Sequence, residues 1–237
     1  GNAFSFLMKI QNISFWEAAK VIADKLGIAF ELDKRFGAGA NKENEKLIEI
    51  MSAAVSFYEA QGKNSPIAAD YFKKRGLSEK DISVFHLGYS PDSWDCLYRE
   101  LATKGFLPTE IEKARLIIAK EGGSFYDRFR NRIMFPIYDA NSKPVGFGAR
   151  SLDGSDPKYL NSPETAIYNK SNVLYGLNLS KDGIKRDNFV MIVEGYMDMI
   201  SCFAAGFNNV AASSGTALTM SQVKNLIRLT ENLVLIF

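Results

Sequence analysis

Two acids stand in "VEGYMD" where their placement suits chemistry: Glu194, directly after the apolar run 189–193, and Asp198, four residues on. Such a run fits a strand of a parallel sheet buried on both faces. Glu194 then falls at a carboxyl-terminal strand tip, the end at which open α/β sheets bind ligands. Crowded carboxylates repel and their pKa values rise unless a cation lies among them. The matching cation is Mg²⁺, which takes few protein carboxylates and keeps water and phosphate oxygens as its other ligands. Gly195 permits close backbone approach beside the acid. A plainer reading fits equally: Glu194 as a surface charge and Asp198 as the complement of a helix N-terminus.

A second pattern lies upstream. Arg128, Arg130 and Arg132 recur at every second position, so on an extended strand they share one face and form a stripe able to hold phosphate. Solvated charges or structural ion pairs are the alternative. The sole histidine, His86 in "SVFHLGY", has apolar neighbours and reads as a packed residue. Cys96 and Cys202 belong to no C-x-x-C pair, which argues against a structural zinc site and a disulfide scaffold, and for a reduced, cytoplasmic setting.

Positioning these groups takes a sizeable core, and 237 residues with 46% hydrophobic content are enough for one large domain or two small ones. No apolar run approaches the roughly 20 residues of a membrane span. The net charge of +2 does not by itself announce a nucleic-acid partner. Its distribution is more informative: residues 124–170 carry seven Lys+Arg against five Asp+Glu, and the rest of the chain balances.

The first half reads as helical. Ser14 and Glu17 make a capping-box pattern, followed by Trp16, Ala19, Ile22, Ala23 and Leu26 at helical spacing and Gly27 at the end. "RFGAGANKEN" reads as a linker. A longer helix follows on Leu47, Ile50, Met51, Ala54, Val55 and Tyr58. Three shorter ones start at Ser65–Pro66, at Ser78, and near Asp92 or Ser93. From about residue 125 the period shortens, and "RIMFPIYD", "PVGFGARS" and "PKYLN" read as strands. Then strands at 189–193, "NVAAS" and "LVLIF" alternate with helices near 196–205 and 220–230, the latter capped by Thr219 and Gln222. The expected fold is an α+β amino-terminal portion followed by an α/β parallel sheet that breaks off after a strand.

The blocks "YDRFRNRIMFPIYD", "GFGAR", "PKYLNSPET", "LYGLN", "VEGYMD" and "SGTALT" resemble, in order and rough spacing, those of bacterial DNA primases. They span that family's RNA-polymerase core and the first part of its Toprim fold. "FSFLMKIQNISFWEAA" resembles the stretch just after the family's zinc-binding module. The resemblance implies a helical segment at 1–36, a basic subdomain at 37–186 and an incomplete Toprim domain at 187–237. It also implies synthesis of RNA primers on a single-stranded DNA template from ribonucleoside triphosphates. Glu194 matches the family's catalytic, metal-binding glutamate, and Asp198 the aspartate of the same motif, with Mg²⁺ or Mn²⁺ as the metal. Glu194 is then a metal ligand or the base that takes the hydroxyl proton.

A further D-x-D pair is expected after "LVLIF", so the chain reads as a fragment that does not make primers by itself. Zn²⁺ is expected only in a module before residue 1. Arg75, Arg150 and Lys158 match template-gripping positions, with Lys158 and Lys170 near the incoming nucleotide. Asn161 and Tyr159 shape the same groove, Tyr159 reading equally as core. In the longer protein the replicative helicase and the single-strand-binding protein are the expected partners, at replication forks on the nucleoid, with no membrane. Three positions depart from the family pattern: Arg115 and Ala149 where glycine is usual, and Ser214 where an apolar residue is common. The competing readings are another Toprim enzyme, a topoisomerase or nuclease, and a non-catalytic module that binds single strands.

Overall fold

The computed structural model describes residues 3–11, 15–26, 34–215 and 217–236. The chain divides into two compact units, Gly1–Glu43 and Asn44–Phe237. In the first lie helices α1 (Ala3–Gln11), α2 (Phe15–Leu26) and the start of α3 (Lys34–Lys63). On α2, Ala19 and Ala23 are buried as their spacing predicts, while Leu26 is exposed. Ser14 and Gly27, the expected cap and stop, lie outside the described residues.

The expected linker "RFGAGANKEN" is instead the first part of α3. Its Ala, Lys and Glu residues favour helix, and propagation from a formed turn costs far less than nucleation, so two glycines do not stop it. Further along α3, Leu47, Ile50, Met51, Ala54, Val55 and Tyr58 are all buried.

Short helices α4 (Pro66–Lys74) and α5 (Glu79–Val84) follow, opened by Ser65 and by a Ser78–Asp81 capping box. Strand β1 (Gly88–Ser90), helices α6 (Cys96–Thr103) and α7 (Pro108–Lys113), and the hairpin β2 (Ile117–Ala119)–β3 (Phe125–Asp127) come next. Helix α6 starts later than Asp92 or Ser93, and no neighbouring side chain caps it. Asp127 does so from β3, its carboxylate accepting from the N–H groups of Leu97 (2.8 Å) and Tyr98 (2.9 Å). Burial pushes that carboxyl's pKa up, and the Cys96 thiol beside it rises to about 11.

Strands β4 (Arg132–Tyr138), β5 (Pro144–Ser151) and β6 (Tyr159–Asn161) join β1 in an antiparallel sheet of order β1-β4-β5-β6. Helix α8 (Leu177–Asp187) leads to a parallel sheet of order β8-β7-β9, made of β7 (Val190–Val193), β8 (Val210–Ala212) and β9 (Leu233–Leu235). Helices α9 (Tyr196–Ala204) and α10 (Met220–Ile227) make its crossovers, and Thr219 and Gln222 form the expected box. The α+β portion followed by a parallel α/β sheet is the architecture the pattern predicts.

Alternation along the strands sorts the core. Ile133, Phe135 and Ile137 of β4 share one cluster with Met191 and Val193 of β7 and with Tyr196 and Met199 of α9. Met134, Phe147 and Ala149 face the other way, onto α3, α6 and α7. Val190 and Ile192 face a third cluster with Ile184 and Leu226. The central strands of both sheets are thus covered on both faces, while β9 leaves Val234 and Leu235 exposed, and one core runs beneath both sheets. Among the described residues, no helix is long and apolar enough to cross a membrane.

Candidate nucleic-acid and metal cleft

Glu194 projects from the tip of β7, exposed. Its carbonyl accepts the N–H of Gly215 at 3.2 Å, which ties the Ser214–Gly215 turn to the strand tip. Ser214 and Gly215 make that turn with φ of 61° and 79°. Asp198 lies one helical turn on, and its Oδ2 accepts the Gly195 N–H at 3.0 Å. One oxygen of Asp198 therefore serves the helix N-terminus, as the plainer reading had it.

Tyr196, between the two acids, fastens the parallel sheet to the antiparallel one. Its hydroxyl donates to Asn161 Oδ1 at 2.7 Å, and its ring stacks on Phe135 with centroids 5.2 Å apart. Gly148, opposite Phe135 on β5, makes room for it: a Cβ there would lie 2.3 Å from Tyr196 Cζ. Burial drives the phenol pKa far above its ordinary value, so the group remains a hydrogen-bond donor.

The cations come from three places. Tyr71 and Arg75 are four apart at the end of α4, hence on one face. Arg150 on β5 is paired directly with Tyr159 on β6. Its Nη1 donates to the hydroxyls of Tyr71 (3.1 Å) and Tyr159 (3.3 Å). Both guanidinium groups also lie over the Tyr71 ring, Arg150 at 5.2 Å and Arg75 at 5.6 Å from its centroid. Lys158 precedes β6, its carbonyl bonded to the Ser151 N–H at 2.9 Å. Lys170 sits on a loop held by α10: Gln222 Nε2 donates to the carbonyls of Lys170 and Val173, and Asn225 Nδ2 to that of Asn172.

Arg75, Arg150, Lys158, Asn161, Lys170, Glu194 and Asp198 all line one cleft of about 480 Å³, with Tyr159, Tyr196 and the Ser214–Gly215 turn. Among the described residues, none of its four cations pairs with an acid. They leave positive potential free for a polyanion, with the two carboxylates in the same cleft. A larger hollow of about 680 Å³, among α3, α4 and α5, holds none of these residues.

The arginine stripe is corrected. Only Arg132 lies on a strand, because Asn131 has a φ of 49° and breaks the extended run before it. Arg132 is buried, donates to the Pro157 carbonyl at 2.9 Å, and has its pKa lowered by that burial. It holds the turn before Lys158 and shares no face with the other two. Arg128 Nε donates to the Arg115 carbonyl at 2.7 Å. Arg130 donates to the Asp127 carbonyl and lies 4.3 Å from the Trp94 ring centroid. Lys120 also faces Trp94, at 4.9 Å, and Trp94 is 60% exposed. Lys120, Trp94, Tyr126 and Arg130 thus form an aromatic and cationic patch that does not line the cleft. His86 is half-exposed, bonds Glu59 at 3.0 Å and lies outside the cleft.

For a divalent cation, Glu194 and the second oxygen of Asp198 are the donors present. Among the described residues no group of three His, Cys, Asp or Glu side chains converges. Such a donor set suits a hard ion that draws its remaining ligands from water and phosphate, and not a closed thiolate or imidazole cage.

Sequence reading missed Tyr71 and Tyr196. Tyr71 stands on the helix expected from Ser65–Pro66, and its i,i+4 spacing to Arg75 is a usable signal. No local signal marks Tyr196, whose partners Tyr175, Asn161 and Phe135 lie 21, 35 and 61 positions upstream.

A family model described as the N-terminal domain of the DNA primase catalytic core matches residues 56–181, and a Toprim-like model matches residues 191–237. The chain is 45% identical over 237 residues to a DNA primase of Clostridium acetobutylicum, covering 99% of this chain and 39% of that one. It is 41% identical to a DNA primase of Deinococcus radiodurans, covering 100% and 41%. The chain therefore spans about two fifths of the length of these relatives. Among solved structures, it is similar to a DnaG primase catalytic domain bound to single-stranded DNA, with a TM-score of 0.74 and 36% identity over 82% of this chain and 64% of that one. The zinc-binding and RNA-polymerase domains of the Aquifex aeolicus primase match with a TM-score of 0.78 and 31% identity, over 100% of this chain and 57% of that one.

Proposed function

The chain belongs to the DNA primase family, and from that premise we propose that its cleft holds a single-stranded DNA template and a ribonucleoside triphosphate for RNA primer synthesis. The observation that carries this reading is the gathering of four unpaired cations around a strand-tip glutamate. Phosphoryl transfer asks the protein mainly to position reactants and offset charge, and those are the resources the cleft has.

Arg75 and Arg150 hold template phosphates, and their planar N–H arrays fix orientation without reading bases. Lys158 serves both as a point charge, touching the template backbone beside the arginines and the triphosphate beside Lys170. Asn161, locked by Tyr196, keeps its amide nitrogen as a donor toward the cleft. Tyr159, 38% exposed, is the ring on which a base can stack. Glu194 either takes the proton of the attacking 3′-hydroxyl or, with Asp198, holds Mg²⁺ or Mn²⁺. Such an ion, when bound, offsets the charge that develops on the phosphate oxygens and lowers the pKa of a bound hydroxyl. Lys120, Trp94 and Arg130 extend the template surface outside the cleft by stacking and charge.

Two measurements test this. Labelled oligonucleotide binding, followed by anisotropy across a salt series, should weaken in Arg150→Ala and Lys158→Ala for all sequences alike. The log–log salt slope should flatten by about 0.7 per lost phosphate contact. In the full-length protein, Glu194→Gln should abolish ribonucleotide incorporation while leaving the fold and DNA binding in place. Near-normal primer yield from that variant would remove Glu194 from the chemistry, and unchanged slopes would move the template elsewhere.

A further inference from the structure

We infer that Tyr71 is a positioning residue, one that holds Arg75 and Arg150 for phosphate while leaving both charges unspent. The inference rests on the reading of the cleft as a nucleic-acid site. Two cations close to one another repel, and two long side chains scatter over many rotamers unless something restrains them. Proteins often restrain an arginine with a carboxylate, which also neutralises it and competes with the incoming anion. Here the restraint is an aromatic ring. Both guanidinium groups lie over Tyr71, at 5.2 and 5.6 Å, and Arg150 alone also donates to its hydroxyl at 3.1 Å.

The ring attracts cations through its quadrupole and the phenol oxygen accepts one N–H, so four of the five donors of Arg150 are left to Tyr159 and to phosphate. Tyr71 can do this because it is fixed from below. It is half-buried, packs against the main core, and sets its ring edge-on to Phe72 with centroids 5.9 Å apart. The helix supplies the spacing to Arg75, and the β5–β6 register supplies the spacing between Arg150 and Tyr159.

A positioning role differs from direct contact in what it does to salt dependence and to coupling. The test is binding of a fluorescein-labelled 12-nucleotide single strand across a salt series, with melting temperatures recorded for every variant. Tyr71→Phe keeps the ring and loses the hydroxyl bond, and should weaken binding about threefold; Tyr71→Leu loses both restraints and should weaken it about tenfold. Neither should change the salt slope, because both charges remain, whereas Arg150→Ala should flatten it. In an Arg75→Ala/Arg150→Ala background, Tyr71→Leu should have no further effect. Residual weakening there would mean that Tyr71 touches the strand itself, which overturns the inference. Wild-type affinity in both Tyr71 variants, with Arg150→Ala still impaired, would overturn it while leaving the cleft reading intact. Failure of the wild-type protein to bind the strand would overturn both. Because Tyr71→Phe leaves the packing nearly unchanged, a folding defect in Tyr71→Leu does not rescue the idea.

Discussion

Replacing Gly148 by alanine tests whether Tyr196 is the fastening between the two sheets. The added Cβ would stand 2.3, 2.4 and 2.6 Å from Cζ, Cε2 and Oη of Tyr196. Ordinary contact begins near 3.4 Å, so the ring or the strand must retreat by about 1 Å. Neither has room. Tyr196 is 3% exposed, stacked on Phe135 at 5.2 Å and edge-on to Tyr175 at 4.7 Å. Overpacking of this kind costs about 1–3 kcal/mol, and loss of the Tyr196–Asn161 hydrogen bond adds about 1 kcal/mol. Urea denaturation should therefore show Gly148→Ala less stable by about 2–4 kcal/mol. The cost should fall below about 1 kcal/mol when Gly148→Ala is measured in a Tyr196→Leu background, where the ring is gone. An equal loss in both backgrounds would show that the clash lies elsewhere and refute the fastening.

Other outcomes follow from single contacts. Arg115 ends α7 at a φ of 59°, the left-handed region in which a side chain is strained, so Arg115→Gly should raise stability by about 1 kcal/mol in the same urea titration. Asp127→Ala should leave the Leu97 and Tyr98 N–H groups without their acceptor and cost about 3 kcal/mol, with Asp127→Asn recovering part of the loss, read from melting curves. The Asp153 carboxyl is held well below the usual range by Ser155, through its N–H and its hydroxyl, and then by the Ser151 hydroxyl. A depressed carboxyl stabilises the fold above its unfolded pKa, so that contribution should be lost as the solution is acidified below about pH 4. A pH series of thermal melts should therefore show a shallower acid limb in Asp153→Asn than in the wild-type protein.

The parallel sheet was legible because its strands are apolar on both faces and its caps are local: Thr219 lies three residues from Gln222. The α6 cap was illegible for the opposite reason, since the acceptor, Asp127, arrives from about 30 residues away. The arginine stripe failed on one residue. Asn131 turns the chain and no alternation survives it, yet nothing in "DRFRNRI" announces a left-handed residue beyond the asparagine itself. The strand-tip acid was visible from its neighbours, and the cleft's cations only through the family pattern, because α4, β5, the start of β6 and the loop before α8 meet in space alone. Arg115 joins the two levels. It stands where the family usually has glycine, and the fold explains the preference by demanding a positive φ there.

The core that joins β4 to β7 also bears on mechanics. Ile133 and Phe135 pack with Met191, Val193 and Met199 in one continuous cluster, directly behind the walls that carry Arg150 and Glu194. A jaw needs a seam along which its halves can part, and close-packed interiors of this kind do not bend smoothly. The cleft is accordingly a channel of fixed calibre. On the reading proposed above, a strand crossing it would advance by releasing one set of phosphate contacts and taking up the next, while the walls stay still. On that reading the drive for the step would lie with the polymer, and the protein's part would be that of a gauge.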